Sequence, residues 1–119
     1  MTTTGKLVVT VIEAQLTRDT EWFAKMDPFC RLKYRDQHFE TGVCKKGGKT
    51  PKWNENFTFD VKYIGDDLYL EVCDRDMATV DLVASTNIKL AALCMNGITD
   101  EWYEVQYKGK VSGKVRLSG

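Results

Sequence analysis

The chain has 119 residues, with 17 basic and 17 acidic side chains. This length fits one domain, and a hydrophobic content of 43% is typical of a globular protein. The neutral total gives no electrostatic signal for nucleic acid, and no apolar run is long enough for a signal peptide or a membrane span. We therefore expect a single domain over residues 1–119, cytoplasmic, with its four cysteines reduced and free.

Apolar and polar residues alternate with a period of two along most of the chain, which predicts strands almost throughout. The expected strands are residues 6–12, 29–35, 38–43, 57–61, 68–73, 82–90, 102–107 and 111–117. In the last of these, Val111, Val115 and Leu117 are expected to face the core. A short helical pattern covers residues 89–95. Eight short strands separated by glycine-containing turns predict an all-β antiparallel sandwich or barrel.

The sequence contains no recognisable catalytic arrangement. His38 is the sole histidine and falls in a predicted strand, and neither a nucleophile elbow nor an HExxH frame occurs. Residues 44–50 resemble a phosphate-binding loop in their lysines and glycines. However, Val43 stands where that motif needs its first glycine, and Pro51 follows where its helix should begin. We therefore expect a protein that is not an enzyme.

Acidic side chains gather where predicted strands begin and end. Asp74 and Asp76 follow an apolar strand, and Asp81 comes five residues later. Asp27 precedes another strand, with Glu21 six residues upstream. Carboxylates on loops suit a hard cation such as calcium, but their spacing does not fit an EF-hand, so a calcium site would combine distant loops. Aspartate is also common in turns for local reasons, and that alternative stays open.

Four ordered motifs resemble the C2 domain family. Residues 5–16 are similar to that family's opening strand, and MDPF at residues 26–29 is similar to its (S/M)-D-P-(Y/F) motif. Residues 50–59, TPKWNENFTF, resemble N-P-x-W-N-E-x-F-x-F with Thr50 in place of Asn. Residues 70–76, LEVCDRD, resemble L-x-V-x-D-x-D. In overall appearance the chain is similar to small single-domain C2 proteins of the plant elicitor-responsive kind.

The resemblance implies an eight-stranded antiparallel β-sandwich, with the strand order of the type II, phospholipase C-like, permutation. It also implies that two or so calcium ions bind between loops at one end, after which the domain docks on anionic phospholipid membranes. The positions that match the family's ligands are Glu21, Asp27, Asp74, Asp76 and Asp81, together with the backbone carbonyl of Arg75. Asp19 is a rival to Glu21 because the first loop is one residue longer than the family pattern.

Two further sets of residues are candidates for membrane contact. The apolar side chains Trp22, Phe23, Met77 and Val80 lie in the first and third loops, where they suit insertion into a bilayer interface. A basic set is a candidate for lipid head groups, with a solvated polar face as its alternative; it comprises Arg31, Lys33, Arg35, Lys45 and Lys46. The expected location is cytoplasmic and, on calcium binding, peripheral to a membrane. The alternative function is calcium-independent protein–protein interaction.

These assignments imply that the neutral total charge is unevenly distributed over the domain. If five carboxylates occupy one tip, twelve acidic side chains remain against 17 basic ones on the rest of the chain. The sequence therefore predicts a strongly acidic pole on a mildly basic body, and calcium would remove that pole.

Overall fold

The computed structural model describes residues 5–21, 24–94 and 99–119. It contains eight strands and one short helix in these ranges. The strands are β1 (Gly5–Leu16), β2 (Pro28–Tyr34), β3 (Gln37–Glu40), β4 (Lys52–Val61), β5 (Asp67–Arg75), β6 (Val80–Lys89), β7 (Asp100–Tyr107) and β8 (Lys110–Ser118), and the helix is α1 (Leu90–Cys94). With only five residues in α1, no helix in the described ranges is long and apolar enough to cross a membrane.

The strands are hydrogen-bonded in the order β3-β2-β5-β6-β7-β8-β1-β4, and every neighbouring pair is antiparallel. β6 and β7 share a single register pair, Ser85 with Gln106, so the sheet folds there into two four-stranded leaves. The prediction of an eight-stranded antiparallel β-sandwich is confirmed. Its finer part, the type II permutation, stays a prediction.

Several strand boundaries differ from those predicted, and one core assignment is wrong. β1 continues to Leu16, and β3 ends at Glu40 rather than at residue 43. Val111 is 59% exposed although Val115 and Leu117 are buried. The register between β7 and β8 shifts after Val105, which leaves an extra residue in β8, so the inward alternation does not extend back to Val111.

The core lies between the two leaves and is built from the inward residues of both. Val9, Val11 and Leu117 from one leaf and Leu32 and Leu70 from the other are completely buried. Three aromatic side chains bridge the leaves at their outer edges. The ring of Phe59 packs edge-on against the rings of Tyr34 and Phe39, with distances between ring centres of 6.4 and 5.0 Å. This core holds the two leaves together and so positions the loops at their ends.

The four predicted free cysteines are free, and two of them belong to the core. Cys30 and Cys73 are buried, whereas Cys44 and Cys94 are partly exposed. Burial raises the pKa of the Cys73 thiol to about 11 and raises that of Cys30 as well. These two thiols therefore stay protonated near neutral pH and act as small apolar side chains.

The outer strands β3 and β4 are joined by a side chain instead of a strand ladder. The Gln37 amide nitrogen donates to the carbonyl of Asp60 at 2.8 Å, and the Asp60 N–H donates to the Gln37 side-chain oxygen at 2.7 Å. The Gly42 N–H adds a bond to the Glu55 carboxylate at 2.8 Å. These bonds satisfy part of two exposed edges that would otherwise be free to pair with another chain.

Two surface carboxylates make the folded chain sensitive to acid. Hydrogen bonds from Tyr34 and then Arg35 lower the pKa of Asp66, and Arg116 lowers the pKa of Asp100. Each carboxyl group has a lower pKa in the folded chain than its value of 3.8 in the unfolded chain, so its ionised form stabilises the fold at pH values above 3.8. This contribution to the free energy of unfolding is lost as the pH falls through the pKa of the folded state. We expect the urea midpoint to fall between about pH 5 and about pH 3, and to fall less steeply in Asp100→Asn. An identical slope for that variant would contradict the assignment.

Candidate functional site

Four connections lie at one end of the sandwich, which we call the loop end. They are residues 17–27 between β1 and β2, 41–51 between β3 and β4, 76–79 between β5 and β6, and the β7–β8 turn at 108–109. Strand register places them together, because Leu16 pairs with Gly113, Pro28 pairs with Asp74 and Tyr107 pairs with Lys110. The loop end therefore gathers residues that are far apart in the chain.

Asp74 lies at the centre of the loop end and is completely buried. It stands in β5 between its register partners Pro28 and Asp81. One of its carboxylate oxygens accepts the backbone N–H of Asp27 at 2.8 Å, and the other accepts the hydroxyl of Thr20 at 2.7 Å. Donors of this kind offset the cost of burying a charged carboxylate. Asp74 thus ties the first loop to β5.

Asp27 connects the first loop to the 41–51 connection and to the end of β5. Its carboxylate accepts the backbone N–H of Lys46 at 2.7 Å, and its carbonyl accepts the N–H of Arg75 at 3.1 Å. Lys46 has a positive φ of 56°, a left-handed conformation within the turn that presents this N–H. The basic 41–51 connection is therefore attached directly to a predicted ligand.

Glu21 lies among the other predicted ligands. Partial burial and then repulsion from Asp74, Asp76 and Asp81 raise the pKa of Glu21, whose carboxylate is within hydrogen-bonding reach of Asp76. The Asp76 N–H donates to the carbonyl of Thr79 at 2.8 Å and closes the 76–79 turn beside it. Glu21 of the first loop is therefore influenced electrostatically by three carboxylates of β5, β6 and the turn between them.

Asp19, the rival to Glu21, has a different role in the geometry. It is exposed, and its carboxylate accepts the backbone N–H of Glu21 at 2.9 Å, which shapes the first loop. It also borders an open cleft of about 580 Å³, whose other lining residues are Arg18, Thr20, Asp81, Leu82 and Tyr107. Burial and then the charges of Asp74, Asp76 and Asp81 raise the pKa of Glu21.

The carboxylates approach one another without forming a ready cage. In residues 5–21, 24–94 and 99–119, no three acidic, cysteine or histidine side chains converge closely enough to hold a metal ion. Both oxygens of Asp74 already accept hydrogen bonds from protein donors. A cation here would have to draw the exposed carboxylates inward.

The predicted membrane-contacting residues fall partly within the described chain. Met77 is fully exposed at the tip of the 76–79 turn, and Val80 is 37% exposed beside it. Trp22 and Phe23 lie outside the described residues. The third loop therefore presents apolar surface at its tip.

The predicted basic set divides into two parts. Arg31 and Lys33 of β2 and Arg35 of the turn that follows are ion-paired: Arg31 with Glu40 at 3.1 Å, Lys33 with Glu71 at 3.5 Å, and Arg35 with Asp66 at 2.8 Å. Lys45 and Lys46 instead are exposed on the 41–51 connection. The first three are thus largely neutralised by neighbouring carboxylates, whereas the two lysines face solvent.

The prediction of a strongly acidic pole is wrong. The four connections, taken with the two strand residues on either side of each, carry nine basic side chains against seven acidic ones. The acidic ones are Asp19, Glu21, Asp27, Glu40, Asp74, Asp76 and Asp81, and the basic ones are Arg18, Lys25, Lys45, Lys46, Lys49, Lys52, Arg75, Lys108 and Lys110. The reason is topological, because the β3–β4 connection and the β7–β8 turn bring lysines to the same end as the carboxylates.

Sequence reasoning missed two polar contacts that organise the site, the Thr20 hydroxyl and the Lys46 backbone N–H. In the sequence, nothing but its place next to Glu21 marks Thr20 as part of the site, and no sequence pattern identifies a backbone donor such as the Lys46 N–H. Both act on carboxylates that are distant in sequence, 54 residues away for Thr20 and 19 for Lys46.

Comparison with known proteins agrees with this fold. The family model described as C2 domain matches residues 5–105, and the chain belongs to the C2 domain family. Elicitor-responsive protein 3 of Oryza sativa subsp. japonica is 30% identical over 115 residues, covering 95% of this chain and 80% of the relative. The resemblance seen in the four motifs is therefore confirmed.

Two solved structures have the same fold. A C2 domain of plant extended synaptotagmin 1 superposes with a TM-score of 0.85 at 22% identity, covering 96% of this chain and 91% of that one. A structure of two C2 domains of extended synaptotagmin 2, described as calcium bound, gives a TM-score of 0.80 at 29% identity, covering 96% of this chain and 44% of that one.

Proposed function

We propose that this domain binds calcium at the loop end and, with calcium bound, docks on anionic phospholipid membranes. The observation that carries the proposal is the placement of acidic side chains at the loop end, where Asp74 pairs in register with Asp81 and contacts the Thr20 hydroxyl and the Asp27 N–H of the first loop. Burial and then the charges of Asp74, Asp76 and Asp81 raise the pKa of Glu21, which places Glu21 in the same group. Such a group suits a hard divalent cation, since carboxylate oxygens are the ligands that calcium prefers. Calcium would supply positive charge and coordination sites for phosphate oxygens.

The donor set fits calcium in chemistry. Glu21, Asp27, Asp74, Asp76 and Asp81 would hold the ions, with the carbonyl of Arg75 as a further oxygen and Asp19 shaping the first loop. Asp74 and Asp27 are held by hydrogen bonds, whereas Asp76 is exposed and free to turn inward. Calcium tolerates flexible geometry and six to eight ligands, so modest side-chain movement is compatible with it.

The membrane part of the proposal rests on the loop tips. Met77 and Val80 would enter the interface from the third loop, and Trp22 and Phe23 from the first. The likeness to an extended synaptotagmin structure described as calcium bound supports a calcium-linked role for this chain. The protein would be peripheral to the membrane and recruited from the cytoplasm, and it would act as a binding module without a catalytic step.

A thermal melt in calcium and in chelator tests the calcium part. A ligand present at a hundred times its dissociation constant stabilises by about 2.7 kcal/mol, so we expect the Tm to rise on the order of 10 °C. Magnesium at the same concentration serves as the control and should shift the Tm less. Co-sedimentation with phosphatidylserine vesicles should then require calcium at physiological salt. A Tm that ignores calcium would sink the proposal.

The second candidate function is calcium-independent protein interaction. The observation favouring it is that no three ligand side chains converge within the described ranges and that both Asp74 oxygens are already hydrogen-bonded. Under this function the carboxylates stabilise the loops without metal. The same melt separates the two functions, because only the first predicts a shift.

A further inference from the structure

Phe29 of β2 is an aromatic side chain that faces the outer side of its leaf and is nevertheless completely buried. Its neighbour Cys30 packs into the core between the leaves. Because successive side chains of a strand point to opposite faces, Phe29 points away from that core. A ring on the outer face of a sheet is shielded from water only where other side chains cover it, so the cover of Phe29 consists of side chains that are held in place.

Two guanidinium groups cover Phe29. That of Arg75 lies 4.6 Å from the centre of the ring, and that of Arg31 lies 5.3 Å from it. The carboxylate of Glu40 joins them, since one of its oxygens lies 3.8 Å from Arg75 and the other lies 3.1 Å from Arg31. The Arg75 side chain is therefore held by β2 through Phe29 and by β3 through Glu40. We call the contacts of Arg75 with Phe29 and Glu40 the arginine clamp.

The backbone of Arg75 departs from a regular strand ladder. Its N–H donates to the Asp27 carbonyl at 3.1 Å. In a regular antiparallel pair the opposite residue returns such a bond, but the Asp27 N–H donates instead to the Asp74 carboxylate at 2.8 Å. The Arg75 carbonyl, one of the proposed calcium ligands, therefore receives no hydrogen bond from Asp27.

The direction of this carbonyl follows from the next residue. The Arg75 C=O and the Asp76 N–H belong to one peptide unit, which is trans, so the two groups point in opposite directions. The Asp76 N–H donates to the Thr79 carbonyl at 2.8 Å inside the 76–79 turn. The Arg75 carbonyl therefore points away from that turn, on the same side as the Arg75 N–H that meets Asp27 of the first loop.

We infer that Arg75 is a positioning residue for calcium, because the arginine clamp holds the end of β5 so that the Arg75 carbonyl stays turned towards the first loop. Arg75 is the last residue of β5. Without the clamp, only backbone bonds hold this strand end. The inference rests on the proposed function, since it concerns how the same site holds its ion. It adds Glu40, which is not among the proposed ligands, to the residues that determine calcium affinity.

The charge of Arg75 and its positioning role predict opposite effects of the same substitution. Arg75 is a cation beside the proposed carboxylate ligands, so it repels a divalent cation, and removing its charge in Arg75→Gln would by itself tighten calcium binding. A positioning role predicts weaker binding, because a loosened strand end has to be ordered when the ion binds. Partners that orient metal ligands contribute about ten- to a hundredfold in affinity, so we expect Arg75→Gln to raise the calcium Kd about tenfold.

Calorimetric titration with calcium tests the inference. Glu40→Gln keeps the size of the side chain and removes its charge, and it should raise the calcium Kd up to about fivefold, the range of an exposed ion pair. Because Glu40 acts through Arg75, adding Glu40→Gln to Arg75→Gln should have no further effect. The matched control is Arg116→Gln, which makes the same charge change at an ion-paired arginine of the other leaf and should bind calcium as wild type does.

Amide hydrogen exchange in chelator gives a readout without metal. The N–H groups of residue 75 and of Asp76 should exchange faster in Arg75→Gln than in wild type, because the strand end opens more often. In Arg116→Gln both should exchange as they do in wild type.

Two calorimetric results would overturn the inference. One is Arg75→Gln that binds calcium as tightly as wild type or more tightly, and the other is Glu40→Gln that weakens binding equally with and without Arg75. Wild type that gives no calcium heat would refute the proposed function alone. The exchange in chelator would then still decide on the clamp, because faster exchange in Arg75→Gln supports it and unchanged exchange overturns it.

Discussion

Asp74→Asn is expected to abolish the calcium-induced rise in Tm while leaving the metal-free Tm unchanged or raised. Asn keeps the shape of the side chain, and its carbonyl can still accept the Asp27 N–H. Its amide can donate to Thr20, because a hydroxyl rotates to accept as readily as it donates. Removing the negative charge also relieves the repulsion on Glu21. The proposed calcium site would lose its central carboxylate, whereas the fold would lose little stability.

The measurement is a melt of Asp74→Asn and wild type in calcium and in chelator. The matched control is Asp36→Asn, which makes the same charge change on an exposed residue of the β2–β3 turn, at the opposite end. A calcium shift that survives in Asp74→Asn would remove Asp74 from the ligand set. A second readout does not depend on calcium: the pKa of Glu21, followed by NMR, should fall towards its ordinary value in Asp74→Asn.

Tyr34→Phe is expected to cost roughly 2–4 kcal/mol of unfolding free energy, because one buried hydroxyl serves three partners. The Tyr34 hydroxyl donates to the Asp66 carboxylate at 2.7 Å and accepts the backbone N–H groups of Lys62 and Tyr63 at 2.9 and 3.3 Å. Its side chain is 1% exposed, so water does not replace the lost bonds easily. These bonds hold the β4–β5 connection, at the end opposite the loop end.

Urea unfolding checks this prediction, with the exposed Tyr63→Phe as the control. Tyr63→Phe should change stability by less than about 0.5 kcal/mol. A similar loss in both variants would mean that the hydroxyl network is not the cause. Because Tyr34 is distant from the carboxylates of the loop end, Tyr34→Phe should keep the calcium shift that Asp74→Asn loses. The two variants therefore separate stability from metal binding.

The strands could be predicted because their period-two patterns are local. Leu7, Val9 and Val11 face the core as their alternation predicts. The prediction that Val111 faces the core was wrong, because β8 contains a bulge opposite Val105. Such a bulge depends on the pairing with β7, and the local sequence pattern of β8 does not reveal it. The boundaries of β1 and β3 were wrong for a similar reason, since pairing with neighbours sets where a ladder ends.

The sequence predicted which residue types and which motif positions form the candidate site, but not the contacts that these residues make. Asp74 and Asp81 are register partners, and burial and then the charges of Asp74, Asp76 and Asp81 raise the pKa of Glu21. Their grouping as a calcium site stays a prediction. The donors that hold Asp74 and Asp27 were not predictable, because the Thr20 hydroxyl and the Lys46 N–H are close to these carboxylates in space but far from them in the sequence. The role of each predicted ligand in binding calcium stays a prediction.

By itself the sequence determined the all-β fold class, the resemblance to the C2 family, the carboxylates at strand ends and the neutral total charge. Only the tertiary structure decided how that charge is arranged. Pairing of the leaves brings the 41–51 connection and the β7–β8 turn to the end that carries the carboxylates. The end that was expected to be an acidic pole therefore carries cations as well as carboxylates, because strand order sets which charges lie close together in space.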